Sequence, residues 1–190
     1  SRRNVRVPLL SDLLPKRDAQ AQSSQVDLSR FYNMSTIPPG SSSPWPSLKL
    51  TFLLPGLRNC GGVDFDARGI IALSSPEVRY QCGSFPEQVL GIPVSSPCRR
   101  IHFLHSALFT DAPGSEIGRF VIHFLSGERS EVPLRFEVNT GAYWLRSGVK
   151  TADTLAVSLH ETQDDPQTLF VTHWNNPHPG VPVVMIDFVS

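Results

Sequence analysis

Apolar and polar residues alternate along most of the chain after about Lys49, a pattern typical of β-strands that bury one face. The clearest case is a hairpin in which Phe120, Ile122 and Phe124 share one face and a short turn at 126–128 reverses the chain. Eight strands are predicted in all. They are Gly69–Ser74, Gln88–Val94, Arg99–Leu108, Ile117–Leu125, Arg129–Val138, Thr154–Leu159, Gln167–Trp174 and Val183–Val189.

The spacing of these strands predicts how they pair. They follow one another at intervals of about 8–15 residues, without an amphipathic helix of three turns between them. A parallel sheet needs a long crossover between neighbouring strands, and there is no room for one after Gln88. The 17 prolines, roughly twice the average usage, also favour short strands joined by loops. The sequence therefore predicts an all-β fold, an antiparallel β-sandwich or jelly roll.

The composition changes near residue 25. Residues 1–25 are basic and end in a small polar run, so they are predicted to be a linker or N-terminal extension, with the sandwich module over 26–190. The chain begins with Ser1, which suggests a piece of a larger protein whose targeting signal or anchor would lie upstream. An envelope-associated or extracytoplasmic location is favoured on that basis. No apolar run of about 18 residues occurs, so no membrane insertion is expected from this chain.

Charge and cysteine usage remove further classes of protein. The formal charge is zero, with 17 basic and 17 acidic residues, and no basic stripe follows residue 25, so no nucleic-acid partner is predicted. Cys60, Cys82 and Cys98 form no C-x-x-C pair, which argues against a zinc knuckle or a redox dithiol. They are interpreted as small buried apolar residues, and one disulfide stays open as the alternative.

The histidines invite a metal interpretation that strand geometry opposes. His102 and His105 are three apart in a predicted strand, so they lie on opposite faces and cannot bind one ion together. His105 shares its face with Ile101 and Phe103 and is predicted to be a hydrogen-bonded core or near-core residue, whereas His102 is predicted at the surface. An exposed or inter-strand role is predicted for His123. No metal site is predicted.

Catalytic patterns are not found in the sequence. There is no nucleophile elbow, P-loop or dinucleotide glycine pattern, and no Ser/His/Asp spacing marks a triad, so no catalytic residue, enzymatic activity or cofactor is expected. Asp64 and Asp66 are interpreted as a turn-flanking pair, with Asp66 hydrogen-bonded near Arg68 and Gly69. A structural Ca²⁺ is the alternative. Asp64 and Arg68 are also speculative polar contacts to a ligand.

Aromatic and amide side chains follow two predicted strands. Tyr143 and Trp144 come after the hairpin, and Trp174, Asn175 and Asn176 begin the loop before the last strand. An aromatic ring can stack on the C–H face of a sugar, and amides offer directional hydrogen bonds. The leading hypothesis places these five residues in a carbohydrate site at one end of the sandwich. In the alternative, the tryptophans plug that end and the asparagines satisfy turn backbone.

Phrases in order along residues 26–190 are similar to one family. They are Val26–Asn33, Leu54–Leu57 with Gly62–Ile70, Gly91–Val94 with Arg100–Ser106, Gly118–Phe124 with Val132–Leu134, and Thr172–Pro177 with Ile186–Val189. Together they resemble the galactose-binding-like, carbohydrate-binding domains found beside regulatory, kinase-like or hydrolase domains in bacterial multidomain proteins of planctomycete and verrucomicrobial type. The loop after the hairpin in that family tends to end in paired tryptophans, whereas Tyr143 stands in one of those places here.

The resemblance implies a galactose-binding-like sandwich and a non-catalytic binding module that serves a larger multidomain protein. Its partner would be a carbohydrate, which localises or regulates the neighbouring domain. The alternative is a protein-interaction or structural module of an envelope or signalling protein. Fold alone does not decide between these functions.

Overall fold

The computed structural model describes residues 14–36, 55–74, 85–160 and 166–190. These ranges hold nine β-strands and no helix. The strands are β1 Gly56–Cys60, β2 Val63–Ala67, β3 Gln88–Ser96, β4 Arg100–His105, β5 Glu116–Phe124, β6 Arg129–Arg135, β7 Thr154–His160, β8 Gln167–Asn175 and β9 Val183–Val189.

The chain divides into two compact units, residues 1–58 with 65–72 and residues 59–64 with 73–190. The second unit carries a four-stranded sheet in the order β3-β9-β5-β6 and a three-stranded sheet in the order β4-β8-β7. Every pairing in both sheets is antiparallel. The predicted all-β antiparallel fold is therefore confirmed, while the jelly-roll arrangement stays a prediction.

Aromatic side chains join the two sheets face to face. Phe103 of β4 stacks on Phe120 of β5 with ring centroids 4.0 Å apart, and Phe124 lies 6.0 Å from Trp174 of β8. Burying one such side chain contributes about 1.5–3 kcal/mol to stability. The core of the sandwich thus lies between β5 and the strands β4 and β8.

The predicted hairpin is confirmed as β5 and β6. Phe120, Ile122 and Phe124 are buried on one face of β5, and Phe120 is paired with Val132 of β6. Gly127 in the turn has a φ of 89°, which glycine adopts without a steric penalty. Because Ile122 is completely buried, truncation to alanine would cost about 2–5 kcal/mol.

The predicted strand Gly69–Ser74 is wrong. Only Ile70 pairs with another strand-like segment, through an isolated bridge to Met34. The side chain of Asn33 accepts a hydrogen bond from the Ala72 N–H at 2.7 Å and donates one to the Ala72 carbonyl at 2.8 Å. An asparagine side chain thus satisfies backbone groups that a neighbouring strand would otherwise satisfy.

Strands β1 and β2 were not predicted. Each is only five residues long, and the two pair as a hairpin closed by Gly61 and Gly62. The φ angles of these glycines are 59° and 85°, so both turn positions are left-handed, as a type I′ turn requires. The Gly-Gly dipeptide was the available sequence signal for this hairpin.

A chain of polar side chains crosses the core of the second unit. His105 Nδ1 lies 3.3 Å from Thr140 Oγ1, and its Nε2 lies 2.9 Å from Thr172 Oγ1. Thr172 Oγ1 is in turn 2.7 Å from Thr154 Oγ1. Burial lowers the pKa of His105 to about 3, so the ring is neutral at physiological pH. The prediction of a hydrogen-bonded core or near-core histidine is confirmed.

Two of the three cysteines, Cys60 and Cys98, are in the described ranges, and neither forms a disulfide. Cys60 is buried, as predicted, whereas Cys98 is only partly buried. Burial raises the pKa of the Cys98 thiol and keeps it protonated. Cys82 lies outside the described residues.

Candidate functional site

The five predicted aromatic and amide contacts lie at the two ends of β8. The Thr168 N–H near the start of this strand donates a hydrogen bond of 2.7 Å to the Tyr143 carbonyl. Trp174 and Asn175 stand at the other end of the strand. Trp174 comes six positions after Thr168 in this strand. At a rise of about 3.3 Å per residue, the two residues are about 20 Å apart. The structure therefore does not bring these five residues together at one end of the sandwich.

Trp144 is the exposed aromatic of this set. The chain is aligned there by a parallel bridge between Ala107 and Ala142 and by a hydrogen bond of 3.0 Å from the Tyr143 N–H to the Ala107 carbonyl. The indole N–H of Trp144 donates to the Leu108 carbonyl at 3.3 Å. Trp144 nevertheless keeps 45% of its surface exposed. Its ring is held by one edge while much of it contacts solvent.

Two apolar residues near these contacts in the sequence are also exposed. Phe109 is 39% exposed and follows Leu108, and Leu145 is 37% exposed and follows Trp144. Both are too exposed to be core residues. We refer to Phe109, Trp144 and Leu145 as the Trp144 surface.

The base beneath the Trp144 surface is tightly packed. Ala107, Phe136 and Ala142 form a buried cluster with Ile117 packed against it. A Cβ added at Gly141 would lie 3.0 Å from the Phe170 ring, so only glycine fits easily at that position. Trp144 therefore projects from a rigid base. Less conformational entropy is then lost when a ligand binds.

Trp174 has a different environment. Its ring lies 6.0 Å from the buried ring of Phe124, and His178 approaches Phe124 edge-on at 5.7 Å. Trp174 is only partly exposed. This packing matches the alternative in which the tryptophan plugs the end of the sandwich.

The two asparagines that follow Trp174 differ in their burial and in their hydrogen-bond partners. Asn176 is 8% exposed, donates from Nδ2 to the Cys98 carbonyl at 2.8 Å and accepts from the His178 N–H at 2.7 Å. Asn175 is exposed, and its Oδ1 accepts a hydrogen bond of 2.7 Å from Arg100 Nε. Asn176 thus satisfies loop backbone, and only Asn175 is open to solvent.

Arg68 has its guanidinium donors bound within the first unit. Nε donates to Asp66 at 3.0 and 3.1 Å, Nη2 donates to Asp27 at 2.6 Å and to Ser29 at 2.7 Å, and Nη1 reaches the Pro15 carbonyl at 3.3 Å. The predicted hydrogen bond of Asp66 near Arg68 is confirmed. The Arg68 side chain is 3% exposed, so a ligand would have to displace these contacts.

Charge around Arg68 is balanced by two carboxylates. The Ser29 hydroxyl is the largest cause that lowers the pKa of Asp27, to about 2, and Arg68 adds to the shift. Arg17, in the predicted linker, lies 3.1 Å from Asp66 Oδ2. Asp66 is buried, with 1% of its side chain exposed. These contacts join residues of the N-terminal segment to the end of β2 inside the first unit.

Asp64 takes part in a turn. Its Oδ1 accepts a hydrogen bond of 2.7 Å from Asn59 Nδ2, and Asn59 Oδ1 accepts from the Gly62 N–H at 3.1 Å. The side chain is exposed. The turn-flanking interpretation of this residue is confirmed, and its ligand role stays a prediction.

His123 has the predicted inter-strand role. Its Nε2 lies 2.7 Å from Asp187 Oδ2 on the neighbouring strand β9. The Gly91 N–H donates to the other oxygen of that carboxylate at 2.8 Å. The carboxylate therefore links β3, β9 and β5 on one face of the four-stranded sheet.

His102 was only partly predicted. It is half-buried rather than a simple surface residue, and its Nδ1 is buried without a hydrogen-bond partner. His173 stands directly opposite on β8. Periodicity within one strand does not reveal such a cross-strand neighbour. Among the described residues, no three His, Cys, Asp or Glu side chains lie close enough together to hold a metal ion.

Comparison with protein-family models, with curated proteins and with solved structures found no match to this chain. Within the described ranges, no helix is long and apolar enough to cross a membrane.

Proposed function

We propose that the chain is a non-catalytic module that binds carbohydrate through the Trp144 surface. The observation that carries the proposal is Trp144 itself, 45% exposed while its indole N–H is bound to the Leu108 carbonyl. A large exposed ring costs little conformational entropy on binding when it is already fixed. Its apolar face suits the C–H face of a sugar ring.

The remaining sequence candidates contribute unequally to this proposal. Tyr143 is retained because it precedes Trp144 and is only half-buried. Trp174 and Asn176 are left out because their contacts are within the protein. Arg68 is left out for the same reason. The ligand site is thereby reduced to the loops that follow β4 and β6.

The wider role rests on the resemblance to galactose-binding-like domains of bacterial multidomain proteins. In such a protein the module would hold a neighbouring domain near a polysaccharide, at the envelope or outside the cytoplasm. No bond is made or broken in this role. The module acts through affinity alone.

Affinity gel electrophoresis against a panel of polysaccharides, followed by a glycan array, tests this function. We expect the wild type to be retained by at least one polysaccharide and Trp144→Ala to lose that retention. Leu125→Ala is the matched control, because Leu125 is 68% exposed and lies at the distant β5–β6 turn. Failure of the folded wild type to bind any glycan would overturn the proposal.

A second function is favoured by the apolar character of the same surface. Phe109 and Leu145 beside Trp144 add exposed apolar area rather than hydrogen-bonding groups, and exposed apolar patches mark protein-interaction sites. The partner would be a neighbouring domain of the parent protein. Lack of glycan retention, together with Trp144-dependent binding of that purified domain, would favour this alternative.

A further inference from the structure

Two histidines face each other across β4 and β8. His102 and His173 are directly opposite in the antiparallel register. Side chains at such positions have Cβ atoms about 4.5–5.5 Å apart. The centroids of the two imidazole rings are 6.0 Å apart, with an angle of 51° between the ring planes. The two rings therefore share one face of the three-stranded sheet at close range.

This separation fits two imidazoles bound to a single ion. A zinc–nitrogen bond is about 2.0–2.1 Å long, and the centre of an imidazole lies about 1.1 Å beyond its nitrogen. Two rings bound at angles from tetrahedral to linear would then have centroids about 5–6.5 Å apart. The observed distance of 6.0 Å lies in that interval.

Asp153 provides the carboxylate that often accompanies a metal-binding histidine. Its Oδ1 lies 3.3 Å from His173 Nε2. The Asp153 carbonyl also accepts a hydrogen bond of 2.8 Å from the His173 backbone N–H, which holds the two residues together. A carboxylate at one ring nitrogen fixes the tautomer and leaves the other nitrogen, here Nδ1, as the ligand.

His102 supplies a second indication. Its Nδ1 is buried and has no hydrogen-bond partner, an unfavourable state for a polar atom. Burial first, and then the charges of His173 and Arg100, lower the pKa of His102. The neutral imidazole is the form that binds metal ions.

We infer that His102 and His173 form a two-histidine site for a divalent transition-metal ion on this sheet face, with Asp153 as a positioning residue for His173. Imidazole ligands suit Zn²⁺, Cu²⁺ and Ni²⁺ rather than Ca²⁺ or Mg²⁺. Water would fill the other coordination positions. Arg100 acts electrostatically on His102, and its Nε donates a hydrogen bond of 2.7 Å to Asn175 Oδ1. The inference is independent of the carbohydrate proposal.

Isothermal titration of the full chain with ZnCl₂ at pH 7.5 tests the site. We expect one equivalent to bind, with the affinity reduced at least tenfold in His102→Ala and in His173→Ala. Asp153→Asn should weaken binding about 10–100-fold, as is typical for a residue that orients a metal ligand. Because Asp153 is an exposed surface residue, its substitution should leave the circular dichroism spectrum unchanged.

His178→Ala is the matched control, since His178 is on the following loop and is half-exposed. Its affinity for Zn²⁺ should equal that of the wild type. NMR spectra of the wild-type imidazole nitrogens should shift for His102 and His173 on addition of Zn²⁺, a readout that needs no variant to fold. Absence of binding, unchanged affinity in His102→Ala, or an equal loss in His178→Ala would each overturn the inference.

Discussion

Acidification should destabilise the sandwich through His105. This residue is half-buried and hydrogen-bonded to two threonines, and desolvation lowers its folded-state pKa to about 3, against an ordinary value of 6.5. Below pH 6.5 the unfolded chain binds a proton at this residue that the folded chain does not bind. The stability that depends on the neutral ring is therefore complete above pH 6.5 and is lost progressively as the pH falls toward 3.

The size of the effect follows from the shift in pKa. Each pKa unit corresponds to about 1.4 kcal/mol, so the full shift amounts to about 5 kcal/mol near pH 3. Between pH 7 and pH 5 the expected loss is about 2 kcal/mol. Such a loss is a large part of the stability of an ordinary domain, about 5–15 kcal/mol.

Urea unfolding at pH 7 and pH 5 measures this loss. His105→Asn removes the titrating group but keeps a hydrogen-bonding side chain toward Thr140 and Thr172. We expect the variant to be less stable than the wild type at pH 7, and its loss between pH 7 and pH 5 to be smaller by about 2 kcal/mol. If the variant does not fold, NMR of the wild-type His105 ring should show no protonation above pH 5. Parallel losses in the two proteins, or titration of His105 near pH 6.5, would refute this reasoning.

Three further variants test other parts of the structure. Arg68→Met leaves the buried Asp66 carboxylate without its main partner, which should lower the free energy of unfolding by about 3–5 kcal/mol. Hydrogen-exchange protection of residues 14–32 should fall as well, and unchanged protection would contradict the role of this ion pair. Trp174→Ala should lower the free energy of unfolding by about 1–3 kcal/mol but leave glycan retention unchanged. Loss of retention in a folded variant would instead show that this tryptophan contacts the ligand. Gly62→Ala places a side chain at a φ of 85° and should lower the free energy of unfolding by about 1–2 kcal/mol. Thermal unfolding measures this loss, and an unchanged melting temperature would disprove it.

The alternation of apolar and polar residues predicted the features that depend on a single strand. Seven of the eight predicted strands overlap β3 to β9, and the parity of positions along β4 placed His105 in the core. A period of two is a local property, so it survives folding wherever one face of a strand is buried. This explains why the β5–β6 hairpin and the buried face of β5 could also be predicted.

Features that depend on strand pairing could not be predicted. Tyr143 follows β6 and Trp174 lies near the end of β8, but only the hydrogen bonding between segments shows that they lie at opposite ends of β8. The partners of Arg68 lie as far as 53 residues away in sequence, and no local pattern marks them. His102 and His173 became neighbours in the same way, through the register of β4 with β8.

The central claim concerns the Trp144 surface, and one affinity ratio tests it most directly. For a polysaccharide that retains the wild type, the dissociation constants of Trp144→Ala and Leu125→Ala would be compared by titration. We expect the affinity of Trp144→Ala to be at least tenfold weaker, a loss of about 1.4 kcal/mol or more in binding free energy. The affinity of Leu125→Ala should be unchanged. Equal affinities of the two folded variants would contradict it.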